Sequence, residues 1–200
     1  MQINAQLTHG YYIVGAKPSE VVAMNQLSVN LHLMLATFYK PTSKRFKIIT
    51  EAGAFSSDQY ILESQAKFHN LNPEEAIIEL QPRPNEITLR TEDIIKTIEE
   101  HADQLAIVIL GGVQYFTGQF FDIKKITEAG KKAGAIVGYD LAHAIGNVPL
   151  QLHKHNVDFA VWCGYKSFLH FESIFFIMSP PSGKTMQISV IVFLMDKNSG

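Results

Sequence analysis

The stretch YDLAHAIGN, Tyr139–Asn147, follows the apolar run AIVGY and closes it on an acid. Asp140, where a buried strand finishes, either caps the next turn or holds a ligand. His143 shares a face with it if a turn or helix begins at Asp140. One Asp and one His make half of a tetrahedral metal set, and His153 and His155 in LQLHKHN read as a solvated helix end, so a metal is disfavoured. Lys166 closes VWCGYK, where an apolar strand leaves the core. Most lysines are surface charges, but at the ligand end of a parallel strand desolvation lowers the amine's pKa and frees it for Schiff-base chemistry.

A lysine there and a carboxylate one strand earlier match what pyridoxal phosphate requires: an amine for its aldehyde and an acid facing the pyridinium nitrogen. Charge kept on that nitrogen makes the ring an electron sink. Its phosphate needs a cradle, and NQLSVN offers Ser28 at a helix N-terminus, where backbone N–H groups and the dipole favour an anion; a plain helix cap is the alternative. AFSSD offers Phe55 as a stacking face and Asp58 as a second carboxylate, or merely an apolar residue before a helix cap. SGKT, Ser182–Thr185, is not a phosphate loop, because Met178 stands where that motif needs glycine.

The elements that must position these residues alternate. SVNLHLMLATFYK reads as a mostly buried helix capped by Ser28, with Val29, Leu31, Leu33, Met34 and Leu35 apolar and Pro41 ending it. RFKIIT reads as a strand and SSDQYILESQAKFHN as a helix capped by Ser56 or Ser57. QPRPNE is a loop, and TEDIIKTIEEHA an amphipathic helix with Ile94, Ile95 and Ile98 on one side. LAIVILGGV, AIVGYD and VDFAVWCGYK are strands, with the helix DIKKITEAGKKAG before the second. Continuous apolar strands alternating with amphipathic helices predict an α/β fold, a mostly parallel sheet covered on both faces. Ligands in such sheets sit beyond the carboxyl ends of the strands, where Asp140, the Gly111–Gly112 pair and Tyr165–Lys166 all fall.

Composition narrows the partners. The 200 residues are 46% hydrophobic, enough for one core, and 17 basic against 19 acidic side chains leave a net charge of −2. No basic block points to nucleic acid. No segment is long and uninterrupted enough to span a bilayer, and the start lacks a signal peptide's apolar core. The single Cys163 excludes an internal disulfide and fits a reducing compartment. The expectation is a cytoplasmic protein with a small-molecule substrate and neither nucleic-acid nor membrane partner.

Ser28, Phe55–Asp58, Asp140, His143 and Tyr165–Lys166, in this order and spacing, resemble the kynureninase family. The resemblance runs from VGAKPSEVVAMNQLSVNLHLML through KRFKIITEAGAFSSDQYILESQ, VQYFTGQFFDI and GYDLAHAIGNVPL to VDFAVWCGYK, about residues 14–166. It implies the large domain of a fold-type-I pyridoxal-phosphate enzyme over residues 1–166. It also implies a homodimer in the intact family member, and hydrolytic cleavage of kynurenine or 3-hydroxykynurenine to alanine plus anthranilate or 3-hydroxyanthranilate, a step of tryptophan catabolism and NAD biosynthesis. Leu27 and Ser28 would contact the phosphate, and Phe55 would stack on the ring with Ser56, Ser57 and Asp58 completing its loop. Asp140 would pair with the ring nitrogen, with His143 orienting groups around it. Tyr165 would reach the phosphate, and Lys166 would bond the cofactor's aldehyde.

Gly111 departs from the family, standing where a small hydroxyl residue near the phosphate is usual. Residues 167–200 show no likeness to it, and the chain reads as a truncated form. That reading expects a sheet short of strands, with an unpaired edge, and the loss of a carboxylate-binding arginine and of the partner subunit's share of the site. A non-catalytic fragment binding cofactor or a full-length subunit is one alternative. A cysteine desulfurase is another, with Cys163 awkwardly placed for it.

Overall fold

Near-continuous burial along the central strands, with successive side chains on opposite faces, builds this fold. In the computed structural model, which describes residues 11–164 and 173–177, Ile49, Val108, Leu110, Val137, Tyr139, Ala160 and Trp162 belong to one buried cluster. Their chain neighbours Ile48, Ile107, Ile109, Phe159, Val161 and Cys163 belong to the other. Successive side chains of a strand point to opposite faces, so a sheet apolar at every position must be covered twice.

The elements run β1 (Val21–Ala23), α1 (Leu27–Phe38), β2 (Lys47–Glu51), α2 (Ser56–Phe68), α3 (Pro73–Ala76), β3 (Ile77–Leu80), α4 (Thr91–Glu100), β4 (Leu105–Gly111), α5 (Ile123–Lys132), β5 (Ile136–Asp140), α6 (Leu152–His155), β6 (Phe159–Cys163) and β7 (Ser173–Ile177). The sheet order is β1-β7-β6-β5-β4-β2-β3. The five strands from β6 to β3 are parallel, and β7 pairs antiparallel with both β6 and β1. The predicted α/β class with a mostly parallel sheet is what forms. Helices α1 and α2 pack on one face through Leu31, Met34, Leu35, Ile61 and Leu62. Helices α4 and α5 pack on the other through Ile94, Ile98, Ile123 and Ile126.

Chain order makes one place special. From β2 the chain goes outward to β3, then returns to the other side of β2 as β4. A crevice opens at such a switch point, outside the carboxyl ends of the two strands.

Several local expectations are corrected. Helix α1 begins at Leu27 with Gln26 as its cap residue, so Ser28 lies in the first turn. Phe55 occupies the cap position of α2, and Ser56 and Ser57 are its first helical residues. Neither cap residue gives a side-chain hydrogen bond. Val29 is exposed, because α1 needs only one apolar stripe. The edge expected beyond β6 is filled, since residues 173–177, within the segment expected to diverge, form β7 between β6 and β1.

Candidate functional site

Two strands end on acids, Glu51 buried and Asp140 half-buried. Glu51 is the last residue of β2 and Asp140 the last of β5, with Gly111, the last of β4, between them. Gly111 is the register partner of Asp140 and donates its N–H to both Glu51 carboxylate oxygens, at 3.1 and 3.2 Å. Asp58, in the first turn of α2, completes the group: its carboxyl is hydrogen-bonded to that of Asp140 and accepts from the Ser57 hydroxyl at 3.2 Å. Asp140 also accepts from the Ala142 N–H at 2.7 Å, so it does cap the turn that follows β5.

These acids titrate abnormally. Burial pushes the Glu51 carboxyl up to about 7, with the Asp58 charge adding to the rise and the Gly111 N–H opposing it. Burial, then the Asp58 charge, raises Asp140 well above the usual carboxylate range, while the Ala142 N–H pulls it down. Asp58 is raised by burial, against the bonds from Asp140 and Ser57. Two carboxyl groups in hydrogen-bond contact cannot both ionise easily, so the pair shares a proton. Among the described residues no basic side chain figures in the groups that set these titrations. Acids so placed favour a cation beside them, which a protonated ring nitrogen would supply.

Aromatic rings flank the acids. Phe55 meets Tyr115 edge-on at 5.3 Å between centroids, and Tyr115 lies 6.4 Å from the His143 ring. Phe55 and Tyr115 are each about half exposed, at 46% and 47%, so an aromatic ring could lie against them. The loop carrying Tyr115 is gripped by buried Gln114, which accepts from the Phe116 and Thr117 N–H groups and donates to the Gly53 carbonyl at 2.8 Å. The loops after β2 and β4 are thereby tied together. Behind them Gly112 is required by close approach, since a Cβ there would sit 2.7 Å from that of Ala144.

The structure thus brings together Phe55, Ser57, Asp58, Gly111, Asp140 and His143. Ser56 is exposed on the first turn of α2. Leu27 is buried in the same apolar cluster as Ala142, and Ser28 is half-buried beside it in sequence, both in the uncapped first turn of α1. Tyr165 and Lys166 lie outside the described residues. Glu51, Gln114 and Tyr115 were missed as site residues. For Glu51 the signal was present: KIITE, like IVGYD, is an apolar strand ending in an acid. Cys163 is buried at the end of β6, a poor position for a sulfur nucleophile. Among the described residues no group of three or more His, Cys, Asp or Glu side chains could hold a metal, and no helix is long and apolar enough to cross a membrane.

The chain is 62% identical over 154 residues to a kynureninase of Dictyostelium discoideum, covering 77% of this chain and 34% of that protein. It is 60% identical over the same length to a kynureninase of Flavobacterium johnsoniae, covering 77% and 36%. The chain therefore spans about a third of the length of the curated relatives it matches. Among solved structures, an apo cysteine desulfurase of Thermococcus onnurineus NA1 superposes with a TM-score of 0.75 at 20% identity, covering 89% of this chain and 43% of that one. That likeness speaks for the fold alone. The sequence pattern of class-V aminotransferases matches residues 56–169, from the helix that carries Asp58 past the end of β6. With more than half of its length matched, this chain belongs to the aminotransferase class-V family.

Proposed function

We propose that this chain carries the pyridoxal-phosphate pocket of a kynureninase-type enzyme, whose whole protein cleaves kynurenine or 3-hydroxykynurenine to alanine and anthranilate or 3-hydroxyanthranilate. The observation that carries the reading is the Asp58–Asp140 acid pair, set at the carboxyl end of a parallel sheet beside an aromatic wall. The identity with kynureninases supports the substrate class. Bound there, the cofactor would supply an electron sink for breaking a carbon–carbon bond.

The residues divide the work. Asp140 holds the ring nitrogen, and Asp58, bonded to it, fixes its orientation. Phe55 stacks on the ring, with His143 and Tyr115 closing the wall around it. The first-turn N–H groups at Leu27 and Ser28 receive the phosphate. Gly111, without a side chain, offers no hydroxyl, and its N–H is held by Glu51. By the family resemblance, Tyr165 would reach the phosphate and the Lys166 amine would attach the cofactor. The enzyme works in the cytoplasm as a homodimer.

The test is a titration of the purified chain with pyridoxal phosphate, followed by visible absorbance, borohydride trapping and peptide mapping. A saturable band whose adduct maps to Lys166 is expected. Scattered labelling of surface lysines would overturn the reading.

A further inference from the structure

Glu51 has no part in the roles just assigned, yet it occupies the centre of the crevice. It ends β2 and binds the end of β4, so its bond to Gly111 spans the switch point of the sheet. It is 5% exposed. A Cβ on residue 111 would lie 3.0 Å from Glu51 Oε1, so the absence of a side chain there leaves the carboxyl its place. Among the described residues, the charged groups facing it are Asp58 from α2 and, one strand away beyond Gly111, Asp140 from β5. From β4 the Gly111 N–H lies against it.

We propose that Glu51 is a positioning residue of this pocket: it ties β2 to β4 through Gly111 and gives up a proton to solvent when a cationic ring nitrogen is seated on Asp140. The inference rests on the reading that a pyridinium-bearing cofactor binds here. The three carboxyl groups oppose one another's ionisation until a cation is seated among them. Asp58 and Asp140 hold their shared proton between them. Glu51 keeps its bond to the Gly111 N–H while its own proton comes and goes, and burial places that exchange near neutrality. A cation at Asp140 favours the ionised form of Glu51 as well, so binding and deprotonation are linked. The proton goes to water and no other bond changes.

The experiment compares the 200-residue chain with its Glu51→Gln variant. Pyridoxal-phosphate dissociation constants are measured by absorbance at pH 6 and pH 8.5. Glutamine imitates the protonated acid, so the two proteins are expected to bind within about 2-fold of each other at pH 6. At pH 8.5 the variant is expected to bind about 10-fold more weakly, the effect of one pKa unit of linkage. A ratio that does not change with pH overturns the inference while leaving the cofactor reading intact. No saturable binding by either protein overturns both.

A second measurement needs no cofactor. The folded-state pKa of Glu51 is raised, so the stability it contributes is full below the ordinary glutamate range and lost as pH rises through about 7. The unfolding constant of the parent chain in urea should therefore rise more steeply than that of Glu51→Gln between pH 5 and pH 8. Parallel profiles would show that Glu51 does not exchange a proton in this range and would overturn the proposal.

Discussion

Asp140 performs two tasks with one carboxyl. Its bond from the Ala142 N–H shapes the turn after β5, and its contact with Asp58 makes an acid pair that a cation would relieve. Asp140→Asn separates the two. An amide oxygen still caps the turn, but the buried negative charge is gone. The cofactor-free chain at pH 8 should gain about 1–3 kcal/mol, the scale of one to two pKa units of repulsion between neighbouring acids. Pyridoxal-phosphate affinity should fall by at least about 10-fold, since a charge-assisted bond to the ring nitrogen is lost. Urea unfolding and absorbance titration would measure the two effects. A variant less stable and equally tight in binding would count against the acid pair as a cation site.

At the scale of elements, the site depends on strands ending in register. Gly138 is the β5 partner of Phe159 in β6, and a Cβ there would lie 2.3 Å from the Phe159 ring. That ring also stacks on Phe38 of α1 at 5.0 Å, so it has no room to retreat. Gly138→Ala should cost about 1–3 kcal/mol by overpacking and displace α1, whose first turn is the proposed phosphate cradle. Thermal melting and cofactor affinity should fall together, whereas a melt unchanged from the parent would show that the packing yields. At the opposite end of the sheet Arg45 donates to the carbonyls of Ala102, Leu105 and Ala133 at 2.9, 2.6 and 2.7 Å. It thereby ties the start of β4 to the ends of α4 and α5, holding the strand whose far end carries Gly111.

For the whole molecule, the contribution of residues 173–177 matters most. β7 lies between β6 and β1, so it covers the edge of the parallel strands that carry the site. A chain ending at residue 164 would leave β6 with unpaired N–H and C=O groups along a fully buried strand, a template for association. Such a chain is expected to elute as aggregates in size-exclusion chromatography. Elution as a monomer with an unaltered melt would mean that β7 contributes nothing to the fold.

Much of this was decided locally. Strands apolar at every position, such as LAIVILG, cannot face water on either side, so a sheet covered by helices follows from them alone. An acid ending an apolar strand marks the ligand end, and for Asp140 that was legible, as were the aromatic Phe55 and the acid Asp58 beside it. Helix starts were less so, because Ser28, Ser56 and Ser57 are good caps by type, while position in the chain gave the caps to Gln26 and Phe55. Two things needed the tertiary structure. The order of the strands, with β4 crossing back beside β2, depends on contacts between residues about 60 apart and leaves no periodic trace. That order puts Glu51 against Gly111 and gathers three acids into one buried space, and only there does burial raise their pKa values. A sequence specifies which side chains can ionise; their shared surroundings decide what it costs them to do so.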